Sequence, residues 1–163
     1  PDADVYARRY EMIAGRLQAE GFDWYEVSNW ARPGGECRHN EIYWRDGDWW
    51  GAGPGAHSHL GDRRFHNVKH PARYARMLAE GQLPIAGEEI LTPADRHTEQ
   101  IMLGLRLREG IPFAWIGEGG HAVVDKHVDG GLLQHVGDRI ALTDAGRLLA
   151  DGIITDILVA EER

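Results

Sequence analysis

The segment that most restricts this chain is "GAGPGAHS", residues 51–58. Gly51, Gly53 and Gly55 alternate across five positions with Pro54 among them, so no helix and no long strand can run through it. Gly51, Gly53 and Ala56 match the spacing G-x-G-x-x-G/A of a dinucleotide-binding turn. That turn needs a helix directly after it and an acidic residue about 20 positions on. Residues 57–68 alternate and turn rather than showing a helical stripe, and Arg73 and its neighbours supply no carboxylate. A dinucleotide site is therefore not expected. Two readings remain for the bare backbone: a strand end that a cofactor or flat ligand approaches, or a tightly packed turn against another strand. Gly51, Gly53 and Gly55 are the candidate cofactor-facing positions.

The rest of the chain divides around that segment. Residues 4–19 read as a helix with Val5, Met12, Ile13 and Leu17 as a partial apolar stripe, ended by Gly21. "FDWYEVSNWA" alternates as a strand, and "DWWGAG" suggests a second short one. "AHSHLGDRRFHNV" reads as a hairpin on Gly61-Asp62, followed by a helix with Pro71 in its first turn. Helix, glycine, strand is the rhythm of an α/β unit. Beyond "EGQLPIAGEEILTP", Thr92 and Pro93 start a second set, with an apolar helix running to Gly110. A helix within 120–134, a hairpin on Gly137-Asp138 and a last helix capped by Thr143 follow. Helices, hairpin and closing helix describe a winged-helix-like shape. The expectation is two modules, residues 1–80 and 81–163, in an α/β or α+β chain.

Composition supports that division and excludes several functions. Five of six tryptophans precede residue 80. Residues 1–80 hold 11 basic against 12 acidic side chains, and residues 81–163 hold 7 against 14. The winged-helix-like part is thus acidic, which argues against nucleic acid as a partner. No apolar run reaches the length of a membrane span. One cysteine, Cys37, excludes an internal disulfide framework, suits a reducing cytoplasm, and cannot by itself hold an iron–sulfur cluster.

Two histidine groups invite a metal reading. His57 and His59 share one face of a strand, whereas a probable strand end separates His66 from His70, with Pro71 directly after. No carboxylate completes either set, so polar rim positions are expected and no metal site. "CRHNEIYW", residues 37–44, is the more unusual cluster, with a thiol, an imidazole, an amide and two large aromatics. A haem pocket uses an axial His or Cys and flat apolar walls. The plainer reading has His39 and Asn40 bonding loop backbone while Tyr43 and Trp44 fill core.

"YEVSNWARPGGECRHNEIYW", "GAGPGAHS", "LTPADRHTEQIMLGLRLREGIP" and "DRIALTDAGRLLAD" occur here in one order. In that order they resemble the C-terminal part of radical S-adenosylmethionine proteins related to oxygen-independent coproporphyrinogen III oxidase, and within them the haem-chaperone branch. The resemblance implies the last units of a partial (β/α) barrel with a hairpin extension, then a helical C-terminal domain. It implies a His-Asn-x-x-Tyr-Trp haem motif, here His39, Asn40, Tyr43 and Trp44. It implies haem or another tetrapyrrole as the bound partner. It also implies a parent protein carrying a [4Fe–4S] cluster and S-adenosylmethionine. The C-x-x-x-C-x-x-C cluster motif is absent from these residues, so the chain is expected to be a piece of a longer protein and inactive alone in radical chemistry. The upstream barrel region is then a partner, and open sheet edges allow self-association. A fragment of the oxidase itself, or an interaction module without a ligand, are the alternatives.

Overall fold

The computed structural model describes residues 2–162, apart from the side chain of Ala3. It contains six α-helices, two short 3₁₀ helices and three small sheets among those residues. Helix α1 spans Ala3–Ala19 and is capped by the Asp2 carboxylate. Its buried side is Ala14, with Tyr10 and Leu17 partly covered. Met12 and Ile13, expected in the apolar stripe, are exposed instead; the inward arc follows 10, 14 and 17, the helical repeat that avoids them.

"FDWYEVSNWA" folds back on itself. Strand β1 (Asp23–Glu26) pairs antiparallel with β2 (Asn29–Ala31). Helix α2 (Arg38–Trp44) follows the Pro-Gly-Gly loop. Strands β3 (His57–Leu60) and β4 (Arg63–Asn67) form the expected hairpin, with Gly61 at φ 57° in its two-residue turn. The expected strand at "DWWGAG" reduces to one bridge, Trp49 to His59, because the glycines end it. Helix α3 (Pro71–Ala79) has Pro71 in its first turn. The segment "IAGEEI" forms β5 (Ile85–Ile90), the third strand of this sheet, beside β4.

Helix α4 (Pro93–Gly104) opens on a capping box in which Thr92 and Asp95 bond reciprocally. It ends at Gly104, not at Gly110, and the chain between passes through turns. A short strand β6 (Ile111–Pro112), helix α5 (Glu118–Asp129), and strands β7 (Leu133–Val136) and β8 (Arg139–Leu142) come next. The third sheet has the order β6-β8-β7. Thr143 does not cap the last helix as expected: its hydroxyl accepts from Gly146 N–H at the start of a 3₁₀ segment, and helix α6 begins at Ala150 and runs to Glu161.

The architecture is thus mixed α and β with small antiparallel sheets. Every named pairing is antiparallel; the parallel pairing of a (β/α) barrel is not made among the described residues. The main core joins Ile101, Leu105, Val124, Ile140, Ile153 and Ile157, and Trp24 from β1 belongs to it. Trp24 Nε1 donates to Asp144 at 2.7 Å. The aromatic hairpin of the first half is thereby fixed to the leucine- and isoleucine-rich second half.

Candidate functional site around helix α2

Helix α2 is short, and neither a side-chain N-cap nor buried residues hold it. Its far end is what fixes it. Asp46 N–H donates to Tyr43 O and Gly47 N–H to Ile42 O, with Asp46 in the left-handed region at φ 53°. This pair of bonds is a Schellman closure. The Asp46 carboxylate is then gripped by Arg96 at 2.9 Å and lies 3.5 Å from His59 Nδ1. Arg96 also reaches His59 Nε2, at 2.9 Å. A His–Asp–Arg cluster, with His59 and the Asp46 carboxylate enclosed and Arg96 partly exposed, therefore anchors the C-terminal end of α2.

With that end fixed, the four motif residues separate into two pairs at i, i+4 spacing. His39 and Tyr43 share the exposed face. Tyr43 Oη and His39 Nε2 are 3.2 Å apart, the hydroxyl donating where Nε2 carries no proton. Their rings meet edge-on at 5.2 Å. Trp49 continues the row at 4.8 Å from Tyr43, and His59 closes it at 4.9 Å from Trp49. Four aromatic rings thus run from the surface to the buried anchor.

Asn40 and Trp44 turn toward the body. Asn40 Nδ2 donates to Glu26 Oε1 at 3.2 Å. Glu26 is fully buried and also accepts from Ser28 N–H and Oγ–H at 3.0 Å and from Asn29 Nδ2. Four donors and no cation satisfy this carboxylate. Trp44 lies under the Arg106 guanidinium, 5.9 Å from its ring centroid. Beyond it is a recess of about 310 Å³ that includes Arg96, Glu109 and Trp115. Neither Asn40 nor His39 bonds loop backbone, and Tyr43 is not core, so the plainer sequence reading does not describe this segment. Just past the end of α2, Arg45 binds both Glu41 on the helix and Glu109 ahead of β6, and the Glu109 bond first, then Glu41, raises the guanidinium pKa.

The glycine segment lies beside this site and is spent largely on the chain itself. Gly51 N–H donates to Ser58 Oγ at 2.9 Å, Gly53 N–H to Tyr74 Oη at 3.0 Å, and Gly55 N–H to Val68 O at 3.0 Å. The buried Asn67 amide donates to both Gly51 O and Gly53 O. A Cβ on Gly51 would fall 2.1 Å from His57 O, so only glycine permits this approach. Glu26, Asp46, Trp49, His59, Asn67 and Arg96 were not singled out in the sequence for these roles.

Residues 91–149 match the family model described as the HemN C-terminal domain. Over 158 residues the chain is 53% identical to the heme chaperone HemW of Mycobacterium tuberculosis, an overlap covering 97% of this chain and 40% of that protein. The chain belongs to the HemW and HemN family. A second HemW, from Synechocystis sp., is 40% identical over 116 residues, 69% of this chain and 27% of that one. The fold is also that of a solved structure, the coproporphyrinogen III oxidase HemN of Escherichia coli, described as a radical SAM enzyme. The TM-score is 0.70 at 19% identity, over 96% of this chain and 42% of that one. The chain thus spans 40% of the length of that Mycobacterium tuberculosis HemW. Cys37 is its one cysteine and is exposed, so the thiolate set of an iron–sulfur cluster is not among these residues. No helix among the described residues is long and apolar enough to cross a membrane.

Proposed function

We propose that this chain is the haem-handling portion of a HemW-type chaperone, taking haem as cargo and passing it on. The observation that carries this reading is the outward pair on α2. His39 offers an imidazole at an open surface, and Tyr43 and Trp49 provide adjoining aromatic area. An exposed ligand suits a carrier, because cargo that must leave gains from a seat that is not enclosed. In this reading His39 is the axial ligand and Tyr43 the flat wall. Asn40 and Trp44 serve the site from behind by tying α2 to Glu26 and Arg106. Gly51, Gly53 and Gly55 contribute shape beside the site rather than donors, since their N–H groups are engaged within the chain.

The same reading takes residues 1–80 as the last units of a radical SAM barrel with a hairpin extension. It takes residues 81–163 as the helical, winged-helix-like domain. The [4Fe–4S] cluster and S-adenosylmethionine then belong to the upstream region of the parent, which works in the cytoplasm and is this chain's partner. Haem titration of the chain, followed at the Soret band, tests the proposal. Saturable binding at one haem per chain, with release to an apo-haemoprotein acceptor, is expected. A Soret spectrum no different from free haem throughout the titration contradicts it.

A further inference from the structure

A second pair of imidazoles lies outside the α2 site. The β3–β4–β5 register places His57 opposite His66, and His66 opposite Gly87. The two rings are stacked 5.3 Å apart with 25° between their planes. Sequence spacing does not suggest this pair, because a turn separates the two residues. His59, which spacing does pair with His57, is buried and committed to Arg96 and Asp46.

His39, His59, His97, His121 and His127 each have a hydrogen-bonded ring nitrogen. His57, His66, His70 and His135 do not among the described residues, and of these four only His57 and His66 stack on one another. This pair borders a recess of about 600 Å³ with Trp49, Phe65 and Gly87. The carboxylates at its rim are occupied, Glu88 by Arg63 at 2.7 Å and Glu89 by Arg64 at 2.7 Å. A Cβ on Gly87 would sit 2.8 Å from His66 Cε1, so the His66 ring occupies space that only glycine leaves.

We propose that His57 and His66 together bind a divalent transition-metal ion of the Cu²⁺, Ni²⁺ and Zn²⁺ class. Imidazole nitrogen is a preferred donor for these ions, at about 2.0–2.1 Å for zinc. A neutral imidazole presents one ring-nitrogen lone pair to such an ion. Directly opposed residues on an antiparallel pair have Cβ atoms about 4.5–5.5 Å apart, close enough for rotation about χ1 and χ2 to bring both rings to one ion. No group of three or more His, Cys, Asp or Glu suited to a metal occurs among the described residues. The remaining coordination positions therefore fall to water, and the ion is exchangeable. The pair does not suit haem iron, whose two axial ligands approach from opposite faces of the macrocycle, whereas these rings stand side by side on one sheet face.

Calorimetric titration of the tag-free chain with Ni²⁺ tests the site, with Cu²⁺ paramagnetic resonance to count nitrogen ligands. One ion per chain and two imidazole nitrogens are expected. His57→Ala and His66→Ala should each weaken Ni²⁺ about tenfold or more, through loss of the second donor's high effective concentration. Gly87→Ala keeps both histidines but displaces the His66 ring, and should also weaken binding. His39→Ala should leave Ni²⁺ affinity unchanged, which separates this site from the haem reading. Ni²⁺ affinity within about twofold of wild type in both histidine variants, or no Ni²⁺ uptake by the wild-type chain, overturns the proposal.

Discussion

At the scale of single residues, the bond between Tyr43 and His39 sets up a competition. Nε2 of His39 cannot accept from the Tyr43 hydroxyl and ligate iron at once. Tyr43→Phe keeps the aromatic wall and frees that nitrogen. One hydrogen bond of this kind has a net worth of about 0.5–1.5 kcal/mol, or about two- to tenfold in affinity. Tyr43→Phe is therefore expected to bind haem more tightly within that range, read from the Soret titration, whereas Tyr43→Ala loses the wall and binds more weakly. The motif's four residue types could be read from the sequence together with their family association. Their division into an outward and an inward pair could not. That division depends on residues 38–44 being helical, and this stretch has no apolar stripe, and Cys37 as N-cap makes no side-chain capping bond.

At the scale of elements, helix boundaries were legible where a capping residue, proline or glycine marks them. Thr92 and Pro93 announce α4, and the capping box is present as spacing suggests. Thr92→Ala removes both Thr92 side-chain bonds and should cost about 1 kcal/mol of stability, measurable as a lower thermal midpoint. The Asp95 carboxyl is held below its ordinary pKa by the Thr92 backbone N–H first and the Thr92 hydroxyl second. A depressed folded-state value contributes stability above the unfolded carboxylate pKa of about 3.9 and loses it as pH falls through the folded value. The gap in thermal midpoint between wild type and Asp95→Ala should therefore be widest near neutral pH and shrink as pH drops below about 4. Strand β5 was hidden because "IAGEEI" carries glycine and two carboxylates, and only its ladder to β4 makes it a strand. Helix α2 was hidden because its C-terminal closure uses Asp46, not glycine, in the left-handed position.

At the scale of the molecule, the two halves meet at Arg147. This buried guanidinium lies over the rings of Tyr10, Trp24 and Trp30, at 5.3, 5.3 and 5.5 Å from their centroids. The shift from tryptophan to leucine and isoleucine along the chain is visible in composition, but an arginine enclosed by three aromatics from α1, β1 and β2 has no signature in sequence. Arg147→Ala should destabilise the chain by about 2–4 kcal/mol, the range for emptying a large packed site, in denaturant unfolding. Burial raises the Tyr10 pKa most, Arg147 opposes that rise, and Glu26 and Asp144 add to it. The same variant should therefore move tyrosinate formation at Tyr10 to still higher pH, seen by ultraviolet titration.

Helix α2 faces two ways, His39 and Tyr43 outward and Asn40 and Trp44 inward, and the proposed haem site depends on that division. Measuring haem affinity and thermal midpoint together for His39→Ala and Asn40→Ala tests this most directly. His39→Ala should weaken haem binding at least about tenfold with its melting temperature unchanged. Asn40→Ala should lower the melting temperature by removing a donor from buried Glu26, while His39 in the folded fraction still ligates haem. Wild-type haem affinity in His39→Ala, together with loss of haem in a fully folded Asn40→Ala, would contradict it.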